Sequence, residues 1–275
     1  CIQPDPLVAD RSARSMKTTK PAPRLSGGEA VLEAHNLTKI YAGSDRPALS
    51  DLFLNVTPGE VIGLLGPNGA GKTTAISILS TLMTPSRGSV RIAGMALAGN
   101  APNVRGIIGL VPQEVALYER LTPVENLRFF GRLHGLGGER LERRIQAALA
   151  LVALEPHAEK RIALFSGGMR RRCNLAAGLL HRPRLLFCDE PTVGIDAQSR
   201  NLILDRLRKL ASEGVSLIYT THYMEEAQAL CDRIVILDDG RTITEGRPSD
   251  LLAAATDCRN LGELYLKLTG RELRD

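Results

Sequence analysis

Tryptophan is absent from this 275-residue chain, and aromatic residues make up only 4% of it. A surface that stacks on bases interleaves aromatics with clustered cations. Here the basic residues are scattered, the densest run being Arg170-Arg171-Arg172, and the net charge is only +5. No nucleic-acid partner is expected, and the arginine run reads as a solvated helix face. Long apolar runs are missing too. The longest, such as Ile234 to Leu237, have strand length and fall far short of the ~18 residues that cross a bilayer. The cysteines, Cys1, Cys173, Cys188, Cys231 and Cys258, lie far apart with no C-x-x-C. That spacing excludes a zinc-ligand pattern or disulfide framework and fits a reducing compartment. Residues 1–29 carry Pro4, Pro6, Pro21 and Pro23 but no apolar core of the kind a signal peptide needs. A disordered tail is expected there.

What is present is concentrated in a few short motifs. The apolar run Val61 to Leu65 leads directly into GPNGAGKTT, residues 66–74, so a strand is followed by a glycine loop and then a helix. Gly66, Gly71, Lys72 and Thr73 meet the G-x-x-x-x-G-K-[ST] pattern, with Gly69 leaving the backbone open to phosphate. Loop N–H groups and the positive end of the helix face the phosphates, Lys72 reaches the β- and γ-phosphates, and the Thr73 hydroxyl is placed for Mg²⁺. The chain therefore binds a nucleoside triphosphate. The helix after the loop is expected to place Ile76, Leu79 and Met83 on one face.

Alternation at Leu52, Leu54 and Val56 predicts antiparallel strands within Val31 to Val56, and another strand ends near Val111. From about Glu114 to Leu180 the pattern is helical. Thr122-Pro123-Val124-Glu125 is a capping box with proline at the first helical position, and its helix presents Leu127, Phe130 and Leu133. A further helix within Glu139 to Leu154 shows Leu141, Ile145 and Leu149. After Arg184, apolar runs at Leu185–Cys188, Ser216–Thr220 and Ile234–Leu237 alternate with helical patterns, as in a parallel sheet covered on both faces. Asp239-Gly240 makes a tight turn into Thr242-Ile243-Thr244.

Two more motifs carry chemistry. Leu185 to Cys188 is an apolar strand that ends in Asp189-Glu190. There Asp189 can hold Mg²⁺ and Glu190 can take a proton from attacking water, while Cys188 reads as a small buried hydrophobe. Ser166-Gly167-Gly168 precedes a helix with Met169, Cys173, Ala177 and Leu180 on one face. Ser166 is its N-cap, and the glycines leave N–H groups open to a second anion.

In this order the motifs resemble the nucleotide-binding domain of ATP-binding-cassette (ABC) transporters, over about residues 30–247. GPNGAGKTT, including Pro67, Asn68, Ala70 and Thr74, resembles the Walker A loop, Gln113 the Q-loop, and FSGGMRRR from Phe165 the family signature. LLFCDE resembles Walker B, Gly194-Ile195-Asp196 the D-loop, and His222 the switch histidine; Tyr41 resembles the aromatic that stacks on adenine. Phe165 stands where the family usually has Leu, and Met169 where many members have Gln, which bears on subfamily more than on competence.

The resemblance implies an α/β fold: a P-loop NTPase core with a mainly parallel sheet, an N-terminal antiparallel β subdomain and an inserted α-helical subdomain at about 114–180. Residues 248–275 would form a C-terminal helical extension. It implies an ATPase with ATP and Mg²⁺, in which Gln113 helps hold the metal and His222 contacts the γ-phosphate or the attacking water. It also implies a head-to-tail dimer, homodimeric or with a related subunit, in which Ser166, Gly167, Gly168 and Asp196 complete the partner's ATP site. Separate transmembrane permease subunits would place the chain peripherally, at the cytoplasmic face of the cell membrane. The phrases ENLRFFGRLHGL and THYMEEA resemble the bacterial export branch, which implies export of a drug, lipid, polysaccharide or ion. The competing reading is a non-transport ABC ATPase acting on ribosomes or nucleic acid.

Overall fold

A computed structural model describes residues 30–270; residues 1–29, where a tail was expected, lie outside the described residues. The N-terminal part runs β1 (Leu32–Lys39), β2 (Leu49–Val56), β3 (Val61–Leu65), α1 (Lys72–Leu79), β4 (Arg87–Ile92), β5 (Met95–Ala96), α2 (Ala101–Arg105) and β6 (Ile108–Val111). Helices α3 (Pro123–Leu133), α4 (Gly138–Leu151) and α5 (Gly167–Leu179) follow. Then come β7 (Leu185–Asp189), α6 (Ala197–Ser212), β8 (Ser216–Thr221), α7 (Met224–Leu230), β9 (Arg233–Asp238), β10 (Arg241–Gly246), α8 (Pro248–Ala254) and α9 (Leu261–Thr269).

Six strands form the central sheet in the order β10-β9-β3-β8-β7-β6. All neighbours in it are parallel except the β9–β10 hairpin, whose turn is Asp239-Gly240, both left-handed. Because successive strand residues face opposite sides, each apolar run feeds two cores. Val61 and Leu65, Leu186 and Cys188, Ile234 and Ile236 pack on one face. Ile62 and Leu64, Leu185 and Phe187, Val235 and Leu237 pack on the other. That second face is covered by α1 and by an antiparallel sheet ordered β2-β1-β4-β5, in which the alternation along β2 buries Leu52, Leu54 and Val56. The α3–α5 segment is inserted between β6 and β7, which are themselves hydrogen-bonded neighbours.

The capping box forms as read: Thr122 Oγ1 accepts from the Glu125 N–H at 3.2 Å, and Glu125 Oε2 accepts from the Thr122 N–H at 2.8 Å. Two expectations need correction. Helix α1 stops at Leu79 because Thr81 turns left-handed (φ 71°) and the Leu82 and Met83 N–H groups fold back onto the Ser77 carbonyl, so Met83 lies beyond the helix. Leu133 is 69% exposed: spacing of 127, 130, 133 drifts around a 3.6-residue helix, and the buried stripe runs through Val124, Leu127 and Gly131 instead. Helix α5 sets Met169, Cys173, Ala177 and Leu180 against one core as expected, and also buries Asn174, Leu175, Ala176 and Gly178.

Candidate functional site

In a parallel sheet, ligands gather beyond the carboxyl ends of the strands. The residues singled out by sequence emerge at that edge: the glycine loop after β3, Gln113 after β6, Asp189-Glu190 at the end of β7 and His222 after β8. The loop tightens into α1 through Gly71, which caps the helix at φ 100°. A Cβ there would stand 2.6 Å from the Ala48 carbonyl, so both the conformation and the close approach demand glycine.

Three of the side chains singled out by sequence converge on Glu190. Lys72 Nζ lies 3.1 Å from its Oε1, with both side chains 4% exposed. His222 Nδ1 and Gln113 Nε2 each lie 3.4 Å from its Oε2. Lys72 also donates to the Gly66 and Pro67 carbonyls, at 2.8 and 3.1 Å. Glu190 itself is left-handed (φ 44°), a conformation costly for a residue with a Cβ. Its N–H is held by the Thr220 hydroxyl at 2.9 Å and carbonyl at 3.2 Å. The same Thr220 hydroxyl donates to Asp189 Oδ1 at 2.6 Å, so one threonine holds the Asp189 carboxylate and the Glu190 backbone. Sequence reasoning missed Thr220; the signal available was a pair of threonines closing an otherwise apolar strand.

Asp189 is 3% exposed. Burial pushes its carboxyl above the usual range, hydrogen bonds from Thr220 and Thr73 pull it back, and the neighbouring Glu190 raises it further. Thr73, Asp189 and Gln113 offer a hydroxyl, a carboxylate and an amide oxygen, the all-oxygen set that suits a hard divalent cation. A buried carboxylate whose charge is poorly compensated fits that role. Asn68, Gly69 and Thr73 are exposed at the loop, whereas Ala70 is buried. Beside the loop, the exposed Tyr41 ring reaches Thr74 through a 3.2 Å hydroxyl contact.

Ser166, Gly167, Gly168 and Asp196 make a second patch. Ser166 caps α5 through the Met169 N–H at 3.2 Å, and Asp196 caps α6 through the Ser199 N–H at 2.8 Å. That bond holds the exposed Asp196 carboxyl below the usual range. Gly168 presses against α6, where a Cβ would meet Ser199 Oγ at 2.1 Å. Ser166, Gly167 and Asp196 are solvent-exposed, and no hydrogen bond or ion pair among the described residues joins them to the Lys72–Glu190 group. The arginine run is not a solvated face. Arg170 pairs with Glu119 and the Ala163 carbonyl, Arg171 donates to the Gln113 carbonyl, and Arg172 donates to the Val152 and Ala153 carbonyls. These struts tie the signature helix to the Gln113 segment and to the end of α4.

A glycine loop closed by Lys72, two strand-end carboxylates and His222 at one sheet edge define a P-loop nucleoside-triphosphatase. The family model described as ABC transporter matches residues 49–193. The chain is 44% identical over 240 residues to the linearmycin resistance ATP-binding protein of Bacillus subtilis, covering 87% of this chain and 75% of that protein. It is 43% identical over 245 residues to a Nod factor export ATP-binding protein of Cupriavidus pinatubonensis, covering 89% and 74%. A solved ATP-binding subunit of an ABC transporter superposes with a TM-score of 0.78 at 33% identity, covering 87% of this chain and 99% of that one. A cassette solved as a dimer in a post-hydrolysis state with ADP and Pi gives 0.73 at 28% identity, covering 78% and 98%. The chain belongs to the ABC transporter family, as an ATP-binding subunit that hydrolyses ATP to drive transport.

Proposed function

We propose that the chain powers export through separate membrane subunits, with Lys72, Gln113, Asp189, Glu190 and His222 forming its hydrolytic centre. The observation that carries the assignment is the meeting of Lys72, Gln113 and His222 on one buried carboxylate at the mouth of the phosphate loop. Glu190 takes a proton from the water that attacks the γ-phosphoryl group in line. Lys72 neutralises phosphate charge, and His222 orients the γ-phosphate or the water. Thr73, Asp189 and Gln113 would hold Mg²⁺, which would supply Lewis-acid neutralisation of phosphate charge. Tyr41 supports the adenine.

The exposed Ser166, Gly167 and Asp196 have no partner in their own hydrolytic group. A head-to-tail dimer supplies one, placing each signature patch over the ATP of the other subunit. The curated relatives named above act in export and resistance, which supports export here; the ribosome or nucleic-acid reading draws no support from them. No helix among the described residues is long and apolar enough to cross a membrane. In this reading the transport path belongs to the separate membrane subunits, with this chain peripheral at the cytoplasmic face. The surface assigned to that subunit is a groove of about 230 Å³ lined by Leu82, Arg105, Pro112, Phe130 and His134, with Leu82 68% exposed.

Glu190→Gln should abolish steady-state ATPase activity while ATP still binds, and full activity in that variant would remove Glu190 as the base. A pull-down from detergent-solubilised membranes should recover a polytopic membrane protein, and Leu82→Glu should lose it. Recovery of ribosomal components alone would sink the transport reading.

A further inference from the structure

A second buried polar cluster lies behind the phosphate-facing group and has no part in the mechanism above. Glu226, on α7, is 5% exposed. Its Oε2 accepts hydrogen bonds from the Tyr219 hydroxyl at 2.6 Å, the Thr192 hydroxyl at 2.9 Å and the Thr221 hydroxyl at 3.1 Å. Its Oε1 faces Arg200 Nε at 3.5 Å, and the Arg200 guanidinium lies over the Tyr223 ring, 5.1 Å from its centroid. One carboxylate thus joins β8, the segment just after Glu190, the first turn of α6, and α7.

An apolar side chain at 226 would fill the same space without the desolvation cost of a buried charge. What the carboxylate adds is direction, because three hydroxyls and a cation must sit where it points. His222 stands between two residues fixed in this way. Thr221 donates to Glu226 and accepts the Tyr223 N–H at 2.9 Å. Tyr223 lies under Arg200 and against the His222 ring, with centroids 4.2 Å apart. On the other side, Thr192 is two residues past Glu190. Burial and the Glu226 charge raise the Tyr219 phenol well above its usual range, so it remains a donor.

We propose that Glu226 is a positioning residue for hydrolysis, holding His222 against Glu190 and locking both to the start of α6, one turn beyond the Asp196 cap. The proposal rests on the roles given above to Glu190 and His222. Tyr219→Phe tests it with little disturbance of packing, since it removes the shortest of the three donors and keeps the ring. Glu226→Gln is the sharper change: its amide group must face either the three hydroxyl donors or Arg200.

The experiment measures single-turnover hydrolysis of radiolabelled ATP by the full chain, alone and in a His222→Ala background, with melting temperatures alongside. Tyr219→Phe should slow hydrolysis about tenfold, as expected for losing a hydrogen bond to a charged group. ATP affinity should hold within about twofold, since no contact to nucleotide is lost. Glu226→Gln should slow it further. In the His222→Ala background, Tyr219→Phe should cause no additional loss. An equal loss in both backgrounds, or a loss confined to ATP affinity or melting temperature, would overturn the positioning role. Full activity of His222→Ala alone would instead strike the reading of the site, and the proposal with it.

Discussion

Replacing Lys72 with methionine should cost more folding stability than replacing Glu190 with glutamine, and combining the two should cost less than the lysine change alone. Lys72 Nζ and Glu190 Oε1 are 3.1 Å apart and both side chains are 4% exposed. Removing one member of a buried ion pair leaves an uncompensated charge, which costs about 3–5 kcal/mol. In Lys72→Met the stranded carboxylate keeps weak help from His222 and Gln113, each at 3.4 Å, which places the loss at the low end, about 3 kcal/mol. For a domain of this size that is a fall in Tm of about 6–12 °C. In Glu190→Gln the ammonium retains the Gly66 and Pro67 carbonyls at 2.8 and 3.1 Å, so the loss should be about 1–2 kcal/mol. The double variant no longer strands the Glu190 carboxylate and should melt above Lys72→Met. Thermal unfolding by circular dichroism, without nucleotide and in EDTA, reads all four proteins. Equal losses for the two single variants, or additive losses in the double, would show that the pair is not a buried, coupled unit.

Asp189→Asn removes a carboxylate whose charge burial disfavours. The variant should melt no lower than the parent in EDTA and should lose Mg²⁺-dependent hydrolysis; a marked fall in Tm would show that the charge is stabilising as it stands. Gly168→Ala places a methyl 2.1 Å from Ser199 Oγ and should cost about 2 kcal/mol by overpacking. Ser199→Gly in the same chain should recover part of that loss in urea unfolding. Unchanged stability of Gly168→Ala would mean that α5 and α6 do not meet so closely.

The parts of this molecule that could be read from sequence are those whose cause is local. A capping box, a left-handed Asp-Gly turn and an apolar run into a glycine loop each carry their reason within a few residues, and each stands where the sequence puts it. The misses have non-local or cumulative causes. Leu133 was lost to drift, because a three-residue spacing leaves the buried stripe after two steps. Met83 was lost to a left-handed threonine that no local propensity favours. The arginines of the signature helix were read as solvated because their partners, the carbonyls of Gln113, Val152 and Ala153, lie 19 to 58 residues away. The Glu226 cluster was invisible for the same reason: its hydroxyl partners are dispersed over residues 192–221, and an isolated Thr or Tyr in a strand carries no sign of what it faces.

The central claim is that a complete ATP site needs Lys72 from one subunit and Ser166 from another. Trans-complementation tests it most directly. Lys72→Met and Ser166→Arg chains, each inactive alone, are mixed in equal amounts, reassembled, and assayed for ATP hydrolysis. If the site is composite, each mixed dimer carries one site with both lesions and one with neither, and the mixture should recover about a quarter of the parent's activity for independent sites assembled at random. If every chain carries its whole site, both kinds of chain stay defective in any dimer, and a mixture as inactive as its components would contradict the account.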